Sequence, residues 1–200
     1  GEFNTACYDR FNNKDMLVLW FENLNQVEMV IITHELGHWI LFLQGFKAFA
    51  TSKKEYKKIE IYLNSTAQHP ALYILQKSIG HNPQIEIDNR VKNNIELFSR
   101  ESEPLEENIK IRNSLMLADD MMNGSKELTS SLKDIISSNH YKTNRILDRI
   151  LKLAQFYDLS KPHRVLHFVK KVVKDLNLST GNWFVRDNIF EVRKKIKNKH

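Results

Sequence analysis

The chain has 200 residues, a formal net charge of +6 at pH 7, 42% hydrophobic residues and 27% charged residues. This composition excludes wholesale disorder, and the length is enough for a substantial core in one domain or two small ones. Because Cys7 is the sole cysteine, no internal disulfide can form and packing must hold the fold together.

The first half of the chain is predicted to hold one strand followed by helices. Residues 16–21 are apolar and bounded by polar residues, which indicates a strand. Gly45 ends the first helix, and Pro70 begins the third because proline is favoured at the first helical position. Helices are predicted over residues 25–44, 52–67, 69–80 and 82–98.

The second half is predicted to be entirely helical. Its helices are separated by breaks rich in Ser, Asn, Gly and Pro, and are predicted over residues 104–122, 125–137, 140–157, 162–176 and 183–196. No repeat of fixed period and no long linker is present. We therefore predict a single domain over residues 1–200, mainly α with a small β element. In it, the helices of residues 101–200 form a bundle packed against residues 1–100.

The sharpest chemical signal lies in the segment 31–40, where His34, Glu35 and His38 spell the His-Glu-x-x-His motif of zinc hydrolases. Two histidines four residues apart share one face of a helix, so both imidazoles can reach one metal ion. Glu35 lies about 100° further round the helix, where it can accept a proton from a metal-bound water without being a ligand. Imidazole donors and an open fourth position favour Zn²⁺.

The surroundings of the motif strengthen this interpretation. Residues 39–43 are apolar, as are residues 27–32 apart from Glu28, so the helix is predicted to be buried nearly all round. Buried histidines and a carboxylate cost free energy unless a partner satisfies them, and a cation does so. Gly37 is small enough to let a substrate or a strand approach closely. The alternative is that the histidines are hydrogen-bonded core residues and Glu35 pairs with a lysine.

The motif resembles that of the zincin metallopeptidases, and the helix end at residues 44–46 resembles the compact bacterial and phage-type members. The resemblance implies a zincin-like catalytic half in residues 1–100, with the active-site helix beside a sheet. It also implies His34 and His38 as zinc ligands and Glu35 as the general base. The extended metzincin pattern is absent, because it requires a glycine at position 41 and a histidine at position 44. No clean copy of the second gluzincin motif is present.

The third zinc ligand must come from outside the motif. His69 is the first candidate, because imidazole is a favoured donor and a helix start lets the side chain point inward; it could instead cap that helix. Glu60 is the second: it lies 22 residues beyond His38, a separation natural for a gluzincin, although pairing with Lys57 would also explain it. Asp119 is the third, as a carboxylate in an apolar helix that needs a partner. Three candidates in a polar setting rank lower: His81, Glu86 and Asp88.

These residues predict a zinc-dependent metalloprotease that hydrolyses peptide bonds of a protein or peptide substrate. Zinc would lower the pKa of its water from about 15.7 towards about 7, polarise the peptide carbonyl and stabilise the oxyanion. Glu35 would take the proton from that water and pass it to the leaving amine. A further hydrogen-bond donor is expected from Tyr73, His81, His140 or His163.

Two other classes of function stay open. A zincin-like domain could keep the metal and serve as a sensor or interaction module, and the large helical second half favours a specific protein partner. A basic nucleic-acid-binding protein ranks last. Residues 186–199 carry six basic side chains against two acidic ones, but no recognisable nucleic-acid module is present. An amphipathic terminal helix explains this segment more simply.

The sequence contains no recognisable signal peptide and no apolar run long enough to span a bilayer, so no membrane span is predicted. The opening Gly-Glu-Phe resembles a remnant of cloning, and the natural start of the protein is expected to differ. The compartment, cytoplasmic or secreted, and the oligomeric state are therefore left open.

Overall fold

The structure is a computed structural model that describes residues 5–11, 14–20 and 29–186. The protein is mainly helical, as the sequence predicted. The helices are α1 (Met29–Leu43), α2 (Lys57–Ser78), α3 (Gln84–Arg100), α4 (Glu107–Asn123), α5 (Lys126–Asn139), α6 (Tyr141–Gln155) and α7 (Pro162–Asp175). The strands are β1 (Thr5–Phe11), β2 (Lys14–Trp20), β3 (Ala48–Thr51) and β4 (Trp183–Arg186). Within these residues, no helix has the length and hydropathy needed to cross a bilayer.

The β structure consists of two small antiparallel sheets, whereas the sequence indicated a single strand. β2 matches that predicted strand, and it pairs with β1 in a register that places Tyr8 opposite Leu17. β3 pairs with β4, placing Thr51 opposite Trp183. The side-chain amide of Asn64 on α2 fixes β3, since it both accepts from and donates to the backbone of Phe49 at 2.8 Å.

The helix predicted over residues 183–196 is wrong at its start, because residues 183–186 form β4. The aromatic and β-branched residues Trp183, Phe184 and Val185 favour an extended backbone once a partner strand is available, and β3 supplies it. The remainder of that predicted helix, with the basic residues of the chain end, lies outside the described residues.

The predicted break between residues 67 and 69 is also wrong, because α2 runs through Pro70 without interruption. A proline inside a helix costs about 3 kcal/mol or more, since it lacks an N–H and crowds the preceding turn. Burial on both sides offsets this cost: Ala67 is 1% exposed, Ala71 6% and Leu72 0%. Consequently, His69 lies in the middle of a 22-residue helix rather than at a helix start.

The core is organised around α2, which packs against α1, α4, α7 and β3. α1 ends as predicted at Gly45, whose φ of 96° is left-handed and favours glycine. The amide of Phe46 then bonds the carbonyl of Leu41, and the amide of Gly45 that of Phe42, both at 3.0 Å. This pair of bonds is a Schellman motif, which satisfies carbonyls at the helix end. It directs the chain from α1 into β3 and so towards α2.

Candidate metal centre

Three histidines from two helices meet in one cluster. His34 and His38 are one turn apart on α1, and His69 faces them from α2. Their candidate ligand nitrogens all lie within 4.8 Å of one another. The ring centroids are 5.0 Å apart for His34–His38, 5.1 Å for His34–His69 and 5.7 Å for His38–His69. Small rotations of these side chains could bring one nitrogen from each to about 2.0–2.1 Å from a single ion.

Gly37 allows the two helices to come this close. A Cβ atom at this position would overlap the Cδ1 atom of Leu72 on α2, and Leu72 is fully buried. The sequence suggested that Gly37 makes room for a substrate or a strand. The structure instead shows that it makes room for the helix that carries His69.

Two imidazoles of the cluster, His34 and His38, are suited to metal binding because their environment favours the neutral form. Burial, together with the neighbouring His69, lowers the pKa of His38 to about 4 and that of His34 well below its usual range. A neutral imidazole has a lone pair available for a metal ion. The Nδ1 atom of His69 lies 2.7 Å from the Oδ2 atom of Asp119, so it carries the hydrogen. The Nε2 atom of His69 then keeps a lone pair that could bind a metal ion.

A buried network of charges lies behind His69. Asp119, from α4, contacts His69 and also the Nη2 atom of Arg90 at 2.9 Å. Arg90 donates from Nε to Asp120 at 2.6 Å and from Nη1 to the hydroxyl of Tyr73 at 3.1 Å. Burial alone would raise the pKa of Asp119, but His69 and Arg90 together lower it below its ordinary value. This network fixes the orientation of the His69 ring from the side opposite the cluster.

Two amides complete the network. Asn123 donates to Asp119 at 2.8 Å, and Asn94 donates to Asp120 at 2.5 Å. Asp120 is fully buried, and burial raises its pKa against the opposing effect of Arg90. Sequence reasoning identified Asp119 as a carboxylate in need of a partner but missed Arg90. The signal was the pair of adjacent acidic residues in an apolar helix, which requires a cation with several donors.

The other two candidates for the third ligand are not in the cluster. Asp119 contacts His69 and is not itself part of the cluster. The carboxylate of Glu60 accepts the backbone amide of Thr51 at 2.7 Å and Lys57 Nζ at 2.8 Å. Glu60 therefore fixes β3 to α2, and its pairing with Lys57 matches the simpler of the two sequence interpretations. His81, Glu86 and Asp88 also lie outside the cluster.

A cavity of about 290 Å³ opens beside the cluster. Its lining includes His34, Glu35 and Tyr73. The other lining residues come from α1, α2, α3 and the position just before α3: Val30, Ile31, Gln76, Pro83, Glu86, Ile87 and Arg90. Burial raises the pKa of Glu35 to about 7, against the opposing effect of His69. A carboxyl group with this pKa can both take up and release a proton near neutral pH.

Of the four residues named as further donors, only Tyr73 lines this cavity. Its hydroxyl also lies 3.1 Å from the Nδ1 atom of His69. His140 is fully buried elsewhere, with its Nε2 atom 2.9 Å from the carbonyl oxygen of Phe98. His163 is exposed on α7, and His81 follows α2 outside the cavity lining.

Comparison of the chain with protein-family models, with curated proteins and with solved structures gives no significant match. The resemblance to zincins therefore rests on the residues of the motif and on the geometry of this cluster.

Proposed function

We propose that the protein is a zinc-dependent metallopeptidase in which His34, His38 and His69 bind the ion. The observation that carries the proposal is the meeting of these three imidazoles beside a cavity that Glu35 also lines. Three protein ligands from two helices leave a further coordination position, which is the arrangement of a catalytic rather than a structural zinc site.

The residues of the chain divide the reaction between them. A bound zinc ion would lower the pKa of a water molecule and polarise the carbonyl of the scissile peptide. Glu35 takes one proton from the attacking water while the water oxygen bonds to the carbonyl carbon. Glu35 then delivers that proton to the leaving amine as the C–N bond breaks. His69 is held in one tautomer by Asp119, and Arg90 keeps Asp119 in place.

The experiment that tests the function compares wild type with Glu35→Gln on a peptide library prepared from a whole-cell digest. Both proteins are first loaded with zinc, and cleavage products are identified by mass spectrometry. Glutamine has nearly the same size but cannot act as a base, so zinc should remain bound while hydrolysis falls by about two to four orders of magnitude. Removing zinc with a chelator should abolish the cleavage by wild type.

Wild-type cleavage that Glu35→Gln leaves unchanged would contradict the role of Glu35. A zinc-loaded wild type that cleaves no peptide in the library would contradict the peptidase proposal. It would favour a zincin-like sensor or interaction module, in which the same three histidines hold the metal without general hydrolysis.

A further inference from the structure

The cavity beside the histidines has the dimensions of a pocket for one substrate side chain. Its volume is about 290 Å³, near the lower limit of pockets that enclose whole small molecules, which run from about 300 to 1,000 Å³. His34 and Glu35 line one side of it. A residue next to a peptide bond that is held at the metal centre would therefore place its side chain in this cavity.

Most of the cavity wall is apolar. Val30 and Ile31 contribute from α1, Pro83 from the position just before α3, and Ile87 from the first turn of α3. Ile87 is only 2% exposed, so this part of the wall is fixed by the core. Such a wall stabilises the aliphatic part of a long side chain by removing it from water.

Two charged residues of the lining lie outside the proposed catalytic group, and they differ in how their charge is balanced. Arg90 contacts Asp119 at 2.9 Å and Asp120 at 2.6 Å, and it also donates to Tyr73. Its charge is balanced by two carboxylates, its Nε and Nη1 atoms donate hydrogen bonds, and its Nη2 atom forms an ion pair with Asp119 but no hydrogen bond. An acidic substrate side chain would have to compete with these buried partners.

Glu86 is the opposite case. It lies one helical turn before Arg90 on α3, a spacing at which the two could pair, but Arg90 is directed towards α4 instead. Glu86 is exposed, and within residues 29–186 it forms no ion pair. The carboxylate of Glu86 is thus available to a ligand that enters the cavity.

We propose that this cavity selects substrates that carry lysine or arginine next to the scissile peptide bond. The apolar wall holds the methylene part of the side chain, and the Glu86 carboxylate pairs with its cationic end. Long basic side chains bury their aliphatic part and keep the charge at a polar rim in this way. The proposal rests on the proposed peptidase function, because it assigns the cavity a role relative to a bound peptide.

The test uses three blocked heptapeptides of alanine that differ only at the central residue, which is lysine, leucine or glutamate. Zinc-loaded wild type should cleave the lysine peptide with the highest kcat/KM and the glutamate peptide with the lowest. Glu86→Gln should lower kcat/KM for the lysine peptide by about threefold to fivefold, the upper range for a solvent-exposed ion pair. It should leave the leucine peptide unchanged.

Glu101→Gln is the matched control, since it removes the same charge at the other end of α3, where Glu101 is exposed. It should leave all three rates unchanged. Equal cleavage of the lysine and leucine peptides by wild type would overturn the proposal. A preference for the glutamate peptide would also overturn it, and would indicate that Arg90 rather than Glu86 recognises the substrate side chain.

Binding measurements separate failure of this selectivity proposal from failure of the proposed peptidase function. Fluorescent forms of the same peptides are titrated with wild type and with Glu86→Gln, and anisotropy is recorded without any need for turnover. Tighter binding of the lysine peptide that is lost in Glu86→Gln supports the selectivity of the cavity even if no peptide is cleaved. Equal binding of the three peptides overturns it.

Discussion

Burial of Glu35 in the folded protein favours the protonated form of its carboxyl group. Burial raises its pKa from 4.5 to about 7, so between these two pH values the folded chain keeps a proton that the unfolded chain releases. Stability that depends on this proton is fully present below pH 4.5 and is lost as the pH rises through about 7.

Glu35→Gln should therefore stabilise the zinc-free protein at pH 8, because glutamine carries no charge to bury. After allowance for solvent screening of a partly exposed group, we expect a gain of about 1–2 kcal/mol at pH 8 and none near pH 4.5. Urea unfolding in the presence of a chelator at both pH values measures it. Equal stabilities of the two proteins at pH 8 would show that Glu35 is not strained by burial.

His69 and Asp119 should affect zinc binding to different degrees. His69→Ala removes one of the three proposed zinc ligands, so the zinc affinity of this variant should fall furthest. Asp119→Asn keeps a hydrogen-bond acceptor for His69 but removes the charge, which should weaken zinc binding about 10- to 100-fold. Glu60→Gln is the control and should leave the affinity unchanged. Competition with a chromophoric chelator measures all three, and a loss of zinc in Glu60→Gln alone would reverse the ligand assignment.

At the scale of elements, the site depends on how closely α1 and α2 approach. Gly37 lies between the two histidines of α1, at the point of contact with Leu72 on α2. The sequence pattern predicted α1 and its end at Gly45 from local residues alone. It did not predict that α2 continues through Pro70, because only the burial of Ala67, Ala71 and Leu72 offsets the local preference of proline.

Gly37→Ala should separate the two helices and weaken the site. Overpacking a core position costs about 1–3 kcal/mol, whereas replacing glycine by alanine in a helix contributes about 0.8–1.0 kcal/mol. The net effect should be a loss of about 1 kcal/mol in the free energy of unfolding, with weaker zinc binding, because the added Cβ overlaps a fully buried leucine. Thermal unfolding and zinc titration measure both effects.

Gly181→Ala is the control for this change. A Cβ at Gly181 meets nothing within 4 Å, so the stability and the zinc affinity should both stay close to wild type. A Gly37→Ala protein as stable as Gly181→Ala, with unaltered zinc affinity, would show that the helix contact has room to spare.

The strands were harder to predict than the helices for a physical reason. β3 has only four residues, Ala48–Thr51, and alternation cannot be recognised in so short a segment. It is fixed by Asn64 on α2 and by pairing with β4, which lies more than 130 residues further along the chain. These contacts are long-range, and no local pattern contains them.

At the scale of the whole molecule, the site is assembled from four helices. α1 supplies His34, Glu35 and His38, and α2 supplies His69, which the sequence ranked first by its donor chemistry. The supporting residues Arg90 and Asp119 come from α3 and α4. Spacing within one helix revealed the first group, whereas the partner of Asp119 depends on how α3 and α4 pack, which the sequence pattern does not show.

Zinc content after dialysis tests the central claim most directly. Wild-type protein is supplied with zinc, dialysed against a mild chelator and analysed for metal per chain, alongside His34→Ala, His38→Ala and His69→Ala. We expect one zinc ion per wild-type chain and a clear loss in each variant, because each substitution removes one of the three proposed ligands. Wild type without stoichiometric zinc, or full retention of zinc in all three variants, would contradict the account.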